Sequence, residues 1–292
     1  MKLNGYLISR KKIMMKRIRS FEDDGAKLYL VATPIGNLED ITFRAVSILK
    51  SCDMIFCEDT RTSSVLLKHY EIKKPLKSYH DHNEHSQKHV VLEQLLDGKT
   101  CAIISDAGHP LISDPGLDVV RLVQEHDIPV VSVPGPSAFI TGLSMSALPT
   151  HPFMFYGFLA HKSGKQIKQL EPLRNYSYTM IFYESPHRIN QTLSNMAQVF
   201  GNRQAVIARE LTKKFEEVLK GTLEELALVE DLKGEMVVIV EGLTETEDSG
   251  KSLLDEVFEL IEQGVSSKEA IKVIAKRHDV PKNDVYQLYH NE

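Results

Sequence analysis

Residues 105–116, Ser-Asp-Ala-Gly-His-Pro-Leu-Ile-Ser-Asp-Pro-Gly, put two glycines, two prolines and two aspartates into one connection. No core-packing pattern accounts for such a stretch. Glycine lets backbone approach a ligand closely, and aspartate accepts hydrogen bonds from hydroxyls or amines. Irregular connections of this length are uncommon in compact domains unless they are functional. Ser105, Ser113 and Ser137 add hydroxyls, and Asp106 favours a bound cation by attraction in a low-dielectric cleft. A polar lining with few cations suits an adenosyl-type ligand and suits a triphosphate badly. Glu58-Asp59-Thr60-Arg61 is a second charged cluster. A third, His80-Asp81-His82-Asn83-Glu84-His85, has the spacing of half a two-metal hydrolase site. It would need further ligands from His109, His151 or His187, so the reading preferred is a polar or substrate-contacting segment with no metal. Gly98-Lys99-Thr100 ends like a phosphate-binding loop, but Glu93 stands where the earlier glycine is required. Neither G-x-G-x-x-G nor G-x-S-x-G occurs.

These clusters follow short apolar runs. Residues 28–32, 54–57, 101–104 and 130–133 read as strands, feeding the turns 33–38, 58–61, 105–116 and 134–138. Helices are expected from Asp40, with Ile41, Ala45, Ile48 and Leu49 on one face, from Asp114-Pro115, and through Ser146. Such alternation predicts a mostly parallel sheet whose strand-end loops 33–38, 105–116 and 134–138 line one crevice. Beyond Pro149-Thr150-His151-Pro152 the strands crowd together at 153–159, 178–183, 204–209, 215–220 and 235–240, with helices over 186–200 and 224–230. That pattern predicts a mixed sheet. The expected organisation is therefore an α/β protein. A flexible basic arm (1–26) precedes an α/β domain with a parallel sheet (27–149) and a second with a mixed sheet (150–243). An acidic linker (244–250) then leads to a small helical C-terminal domain (251–292).

With 42% apolar and 26% charged residues, and no apolar run near the roughly 18 residues of a membrane helix, the chain reads as soluble, with no membrane partner. Three cysteines without a C-x-x-C pair point to buried thiols in a reducing cytoplasm. The first 20 residues hold seven of the 35 basic side chains and no acidic one, so all 40 acidic residues lie in the body. Any nucleic acid must then be held by local patches. In the tail, Leu253, Leu254, Val257, Phe258 and Ile261 share a helical face, Ser266 and Glu269 form a capping box, and Pro281 opens a third helix. The turn at His278-Asp279-Val280 looks like that of a helix-turn-helix. Six basic against eight acidic residues over 251–292 favour a packing or dimer role over DNA binding.

Between about Lys27 and Glu241 the chain closely resembles the ribosomal RNA small-subunit methyltransferase I family, within the tetrapyrrole methylase-like (class III) S-adenosylmethionine-dependent methyltransferases. The motifs that carry the resemblance lie at 28–40, 57–61, 79–84, 105–116, 133–138, 182–188 and 208–213. It implies two α/β domains with S-adenosylmethionine between them, a homodimer, and 2′-O-methylation of a cytidine ribose in 16S ribosomal RNA at the decoding region of the small ribosomal subunit. Donor-binding positions carried over are Pro34, Asp106, Ala107, Gly108, Ile112, Ser137, Ala138, Phe182, Tyr183, Glu184, Arg209 and Glu210, joined by Ser105 from the loop's own chemistry. His109 departs from the family's loop, which more often carries a small residue there. A catalytic base is sought among Glu58, Asp59, Glu184 and Glu210, each equally able to fix Arg61, Arg188 or Arg209 in an ion pair. Arg61, Arg188, Lys213 and Lys214 are the candidates for RNA phosphates. The alternatives are a tetrapyrrole- or precorrin-type small-molecule methyltransferase and, behind it, a metal-dependent hydrolase using His80, His82 and His85.

Overall fold

The computed structural model describes residues 25–244, 252–278 and 280–290, so the arm expected over 1–26 and the acidic linker lie almost wholly outside the described residues. Five short strands, β1 (Leu28–Val31), β2 (Met54–Cys57), β3 (Leu76–Ser78), β4 (Cys101–Ile104) and β5 (Val130–Val133), pair in the order β3-β2-β4-β1-β5. Every pairing is parallel. Parallel strands are buried on both faces, and β4 shows the consequence. Its Cys101 and Ile103 pack beneath α3 (Glu84–Leu96) and α4 (Leu117–Glu125), while Ala102 and Ile104 pack beneath α1 (Phe43–Ser51) and α2 (Thr60–His69). Cys52, Cys57 and Cys101 are buried free thiols, and burial pushes each pKa up to about 11 or 12. β1 connects onward to β2 and β4 to β5, so the chain leaves these neighbouring strands in opposite directions. That is the switch point at which an α/β sheet opens a crevice.

The second sheet contains β6 (Phe153–Phe158), β7 (Thr179–Glu184), β8 (Gln204–Arg209), β9 (Glu217–Thr222) and β10 (Met236–Val240), in the order β6-β7-β10-β8-β9. β6 and β7 are parallel and the remaining pairs antiparallel, the mixed sheet that the strand spacing predicts. One face is covered by α6 (Ser163–Leu170), α7 (Ile189–Phe200) and α8 (Leu223–Ala227). The other is covered by α5 (Ala138–Ser146), whose Leu143 packs with Ile181, Val206, Val237 and Ile239. The helix that follows the last strand of the first sheet therefore belongs to the core of the second. Gly142 permits the approach, since a Cβ there would lie 3.3 Å from the Val237 side chain.

At the C-terminal end, α9 (Leu253–Glu262), α10 (Ser267–Arg277) and α11 (Lys282–His290) close over Val257, Ala270, Ile271, Ile274 and Val285. Glu256 bridges to Arg277 at 2.8 Å and to His278 at 3.0 Å. Of the expected α9 face only Val257 is fully buried; Phe258 stays largely exposed. No helix among the described residues is long and apolar enough to cross a membrane.

Several element starts differ from expectation, each for a local reason. α1 is capped by Thr42, whose hydroxyl accepts from the Ala45 amide, while Asp40 ends a separate short turn capped by Asn37. α4 begins only at Leu117, because the chain reverses at Gly116 (φ +135°) and its amide donates to Glu84 at 2.9 Å. Asp114 and Pro115 are thus still loop. Ser185-Pro186 lies in a turn closed by the Arg188 amide on the Ser185 carbonyl, so α7 starts at Ile189. β9 starts two residues late, since the Glu216 carboxylate turns back to accept from the Thr212 amide.

The two sheets meet where Gly36 lies against the loop after β8. A Cβ on Gly36 would lie 2.6 Å from Lys213 Cγ and 2.7 Å from the Leu211 carbonyl oxygen. Gly36→Ala is therefore expected to destabilise the protein by about 1–3 kcal/mol, read as a lower urea midpoint; an unchanged midpoint would show that this seam is not tightly packed.

Candidate active site

The loops after β1 and β4 are joined backbone to backbone. Thr33 donates its amide to the Gly108 carbonyl at 2.8 Å, and Gly108 returns the bond at 3.0 Å. Two hydroxyls complete the joint: Thr33 Oγ1 donates to the Ser105 carbonyl and Ser105 Oγ to the Gly108 carbonyl, each at 3.0 Å. Gly108 takes a left-handed φ of +80°, which glycine adopts without strain. Leu111 (φ +71°) and Ser113 (φ +69°) adopt the same region at a cost. Asp106 is anchored by the Asp59 amide, which donates to Oδ1 at 3.2 Å and ties this loop to the end of β2.

Above these loops lies a cavity of about 440 Å³, shared between the two sheets and within the ~300–1,000 Å³ of small-molecule sites. The first sheet contributes Ile35, Glu58, 106–109, Ile112, Ser113, Asp114 and Ser137, and Ala138 opens α5. The second contributes Phe158, Tyr183, Glu184, Ser185, Pro186, Leu211 and residues 235–237. Among the described residues the lining holds five carboxylates and no lysine or arginine. Burial, reinforced by Asp106 and Asp81, raises the Glu58 pKa; burial likewise raises that of Asp106 against the hydrogen bond from Asp59. Asp114 is pushed up to about 7 by burial and then by Glu58, Asp106 and Asp81.

Nine of the positions expected at the site line this cavity: Glu58, Asp106, Ala107, Gly108, Ile112, Ser137, Ala138, Tyr183 and Glu184. Others do not. Pro34 lies beside the joint, and Ser105 is buried within it. Phe182 points into the opposite face of the sheet, beneath α7. Arg209 is held by Glu217 at 2.5 Å and by the Lys233 carbonyl. Among the proposed bases, Asp59 caps α2 and pairs with Arg61 at 2.6 Å, whose hydrogen bond holds its pKa at about 2. Glu210 is bound by Lys213 at 2.9 Å and by the Glu235 amide, with its pKa lowered mainly by Lys213. Both are off the lining. Of the RNA-binding candidates, Arg61 and Lys214 are exposed, Lys213 is shared between Glu210 and Glu235, and Arg188 is largely buried.

Glu184 reaches the cavity already satisfied. Its carboxylate accepts from Arg188 Nε at 2.5 Å, the Ser185 amide at 2.7 Å and Thr192 Oγ1 at 2.7 Å. Thr192 accepts in turn from Gln166 Nε2, Gln166 from Asn195 Nδ2, and Asn195 from Ser163 Oγ. This buried polar chain fixes the second sheet's edge of the cleft and leaves Glu184 a positioning group.

Ser113 also lines the cavity, as expected of its hydroxyl; Ile35 and Asp114 come from loops expected at the crevice without being singled out, and Phe158, Ser185, Pro186, Leu211, Glu235, Met236 and Val237 were not expected there. β10 runs antiparallel to β7, which puts Met236 opposite Glu184, so the start of β10 reaches the cleft. Residues 235–237 enter the cleft from the beginning of a strand, where the other loops enter from strand ends. The His109 ring nitrogens engage the Pro110 carbonyl and Ser132 Oγ, turning the imidazole towards β5. Within His80–His85, Asn83 Oδ1 accepts from the His80 amide and closes the turn before α3. No group of three or more His, Cys, Asp or Glu among the described residues is arranged to hold a metal ion.

A switch-point cleft closed by a mixed second sheet defines a class. The family model described as Tetrapyrrole (Corrin/Porphyrin) Methylases matches residues 27–227, and the chain belongs to that family. Two relatives, from Halalkalibacterium halodurans and Bacillus subtilis, both named "Ribosomal RNA small subunit methyltransferase I", are each 45% identical over 289 residues. The alignments cover 95% of this chain and 100% and 99% of theirs. Among solved structures, a diphthine synthase superposes with a TM-score of 0.63 at 14% identity, over 75% of this chain and 91% of its own. A uroporphyrin-III-C-methyltransferase from Thermus thermophilus gives 0.56 at 19% identity, over 74% and 94%. These two establish the fold.

Removing the Glu184 carboxylate would leave the Arg188 guanidinium buried and unpaired. Glu184→Ala is expected to cost about 3–5 kcal/mol of stability, measured by urea unfolding; a loss below about 1 kcal/mol would place the pair in water.

Proposed function

We propose that this protein transfers a methyl group from S-adenosylmethionine to the 2′-oxygen of a cytidine ribose in 16S ribosomal RNA, at the decoding region of the small subunit. The observation that carries this reading is the match, over nearly the whole chain, to relatives named as small-subunit ribosomal RNA methyltransferases. The cleft independently supports the donor half of this reading. When bound, S-adenosylmethionine supplies a methyl group on a cationic sulfur, and a lining that among the described residues has carboxylates and no lysine or arginine favours a cation over nucleotide phosphates.

Asp106, Ala107, Gly108, Ile112, Ser137, Ala138 and Tyr183 would hold the donor. Asp106 offers an acceptor, the left-handed turn at Gly108 keeps the backbone close, and Ile35, Leu211, Met236 and Val237 exclude water. Because the attacking hydroxyl is neutral and the leaving sulfur loses its charge, holding the two reactants in line contributes more than stabilising new charge. Arg61 and Lys214 would hold RNA phosphates beyond the cleft. The working protein is proposed to be a cytoplasmic homodimer built from domains 27–149 and 150–243 and the helical tail 251–292, acting on 16S RNA or the small ribosomal subunit.

The test is incubation of the protein and methyl-labelled S-adenosylmethionine with small ribosomal subunits, naked 16S RNA or a precorrin, followed by nucleoside analysis. Label in 2′-O-methylcytidine is expected; label in a base, or on the precorrin alone, would overturn the reading. For the double substitution Arg61→Ala with Lys214→Ala, RNA affinity should fall and its log–log salt dependence become shallower by about 1.5. An unchanged slope would remove both from the RNA surface.

A further inference from the structure

We propose that Asp114 is the residue that takes the proton from the attacking ribose hydroxyl. The inference rests on the methyltransferase reading of the cleft. Asp114 lies on the cavity wall, and the helix it was expected to cap begins three residues later, at Leu117, with Gly116 as its cap. Its carboxylate makes no hydrogen bond or ion pair among the described residues, whereas the other acids at the cleft are committed or less enclosed. Glu184 has three donors, and Asp106 accepts from the Asp59 amide. Glu235 pairs with Lys213. The loop holds Leu111 and Ser113 in left-handed conformations to present this turn, a cost that helix capping does not explain.

The ionisable groups facing Asp114 are Glu58 after β2, Asp81 after β3 and Asp106 after β4, with Tyr183 opposite on β7. On the far side of the loop, Glu84 is engaged by the Gly116 amide and the Tyr79 hydroxyl. Burial, and after it three carboxylates, therefore raise the proton affinity of Asp114 towards neutrality, the range in which a general base is effective. The step balances. The hydroxyl proton passes to an Asp114 oxygen as the ribose oxygen's electron pair forms the O–C bond. The C–S pair leaves on sulfur, and the donor's positive charge is matched by neutralisation of the carboxylate.

The test compares Asp114→Asn and Asp114→Glu with the parent at saturating donor on small ribosomal subunits, together with donor affinity by calorimetry and melting temperature against pH. The parent's kcat should rise with pH at or below about 7, since a cationic sulfur beside the carboxylate favours its charged form. Asp114→Asn should lower kcat by roughly 10²–10⁴-fold and abolish that rise, with any fall in donor affinity much the smaller effect; Asp114→Glu should restore part of the rate. A raised carboxylate pKa makes the folded state lose stability as pH climbs from the ordinary carboxylate range to about 7. Asp114→Asn should consequently melt above the parent at pH 8, with the gap closing near pH 4, which also shows that the variant folds. Wild-type kcat and pH dependence in Asp114→Asn, or a loss confined to donor affinity with the pH rise intact, would overturn the proposal. A parent protein that transfers no label to ribose would instead overturn the functional reading.

Discussion

Two reciprocal hydrogen bonds between Thr33 and Gly108 hold the two loops at the switch point of the first sheet, and the cleft takes its shape from them. β1 and β4 are adjacent and parallel, so their following loops emerge side by side. Without a joint, loops leaving in opposite directions would diverge. The Thr33 hydroxyl closes the Ser105 carbonyl, which the pairing leaves open, and the Ser105 hydroxyl adds a second donor to the Gly108 carbonyl; both residues are buried. Small residues make room for the third loop: a Cβ on Gly135 would lie 2.8 Å from that of Ala32. The joint thus links strand order, loop composition and the position of Asp106.

The other wall depends on a different kind of restraint. The second sheet is attached through α5, which leaves the last strand of the first sheet and packs into the second sheet's apolar face. Its edge is then held by the polar chain running from Ser163 to Glu184 and on to Arg188. Polar groups at such depth are stable only when each has a partner, and a fully satisfied chain specifies one arrangement. The cations near the cleft are drawn outward into pairs, Lys213 with Glu210 and Glu235, Arg209 with Glu217, Arg61 with Asp59. What faces the cavity is therefore net acidic, which is the electrostatic basis for reading it as a site for a cationic donor.

Much of this was legible in the chain itself. The apolar runs at 28–32 and 101–104 locate the central strands because a parallel sheet buries both faces, and the glycines and aspartates of 105–116 mark a loop with no packing role. The closer spacing after residue 150 gives the mixed sheet. Asp114-Pro115 and Ser185-Pro186 misled for one shared reason: a cap-then-proline pair is also compatible with an ordinary turn, and contacts outside the pair decide which forms. At Gly116 that contact is Glu84, 32 residues away; at Ser185 it is the buried Glu184 carboxylate. Residues 235–237 were invisible because their place in the cleft depends on the antiparallel direction of β10, which no local pattern encodes. The pairing of Asp59, Arg209 and Glu210 with neighbouring charges was likewise a matter of geometry, since spacing alone leaves each equally able to face the ligand.

The central claim is that the cleft between the two sheets holds the methyl donor, and a crystal structure with S-adenosylhomocysteine, the donor stripped of its methyl group, tests it most directly. The account predicts the ligand between residues 106–108 and 137–138 on one side and Tyr183, Leu211 and Met236–Val237 on the other, with its sulfur facing the carboxylates of Glu58, Asp106 and Asp114. A ligand bound elsewhere, such as the groove lined by Lys68, Lys73 and Lys74, or an intact cleft left empty at saturating ligand, would contradict it.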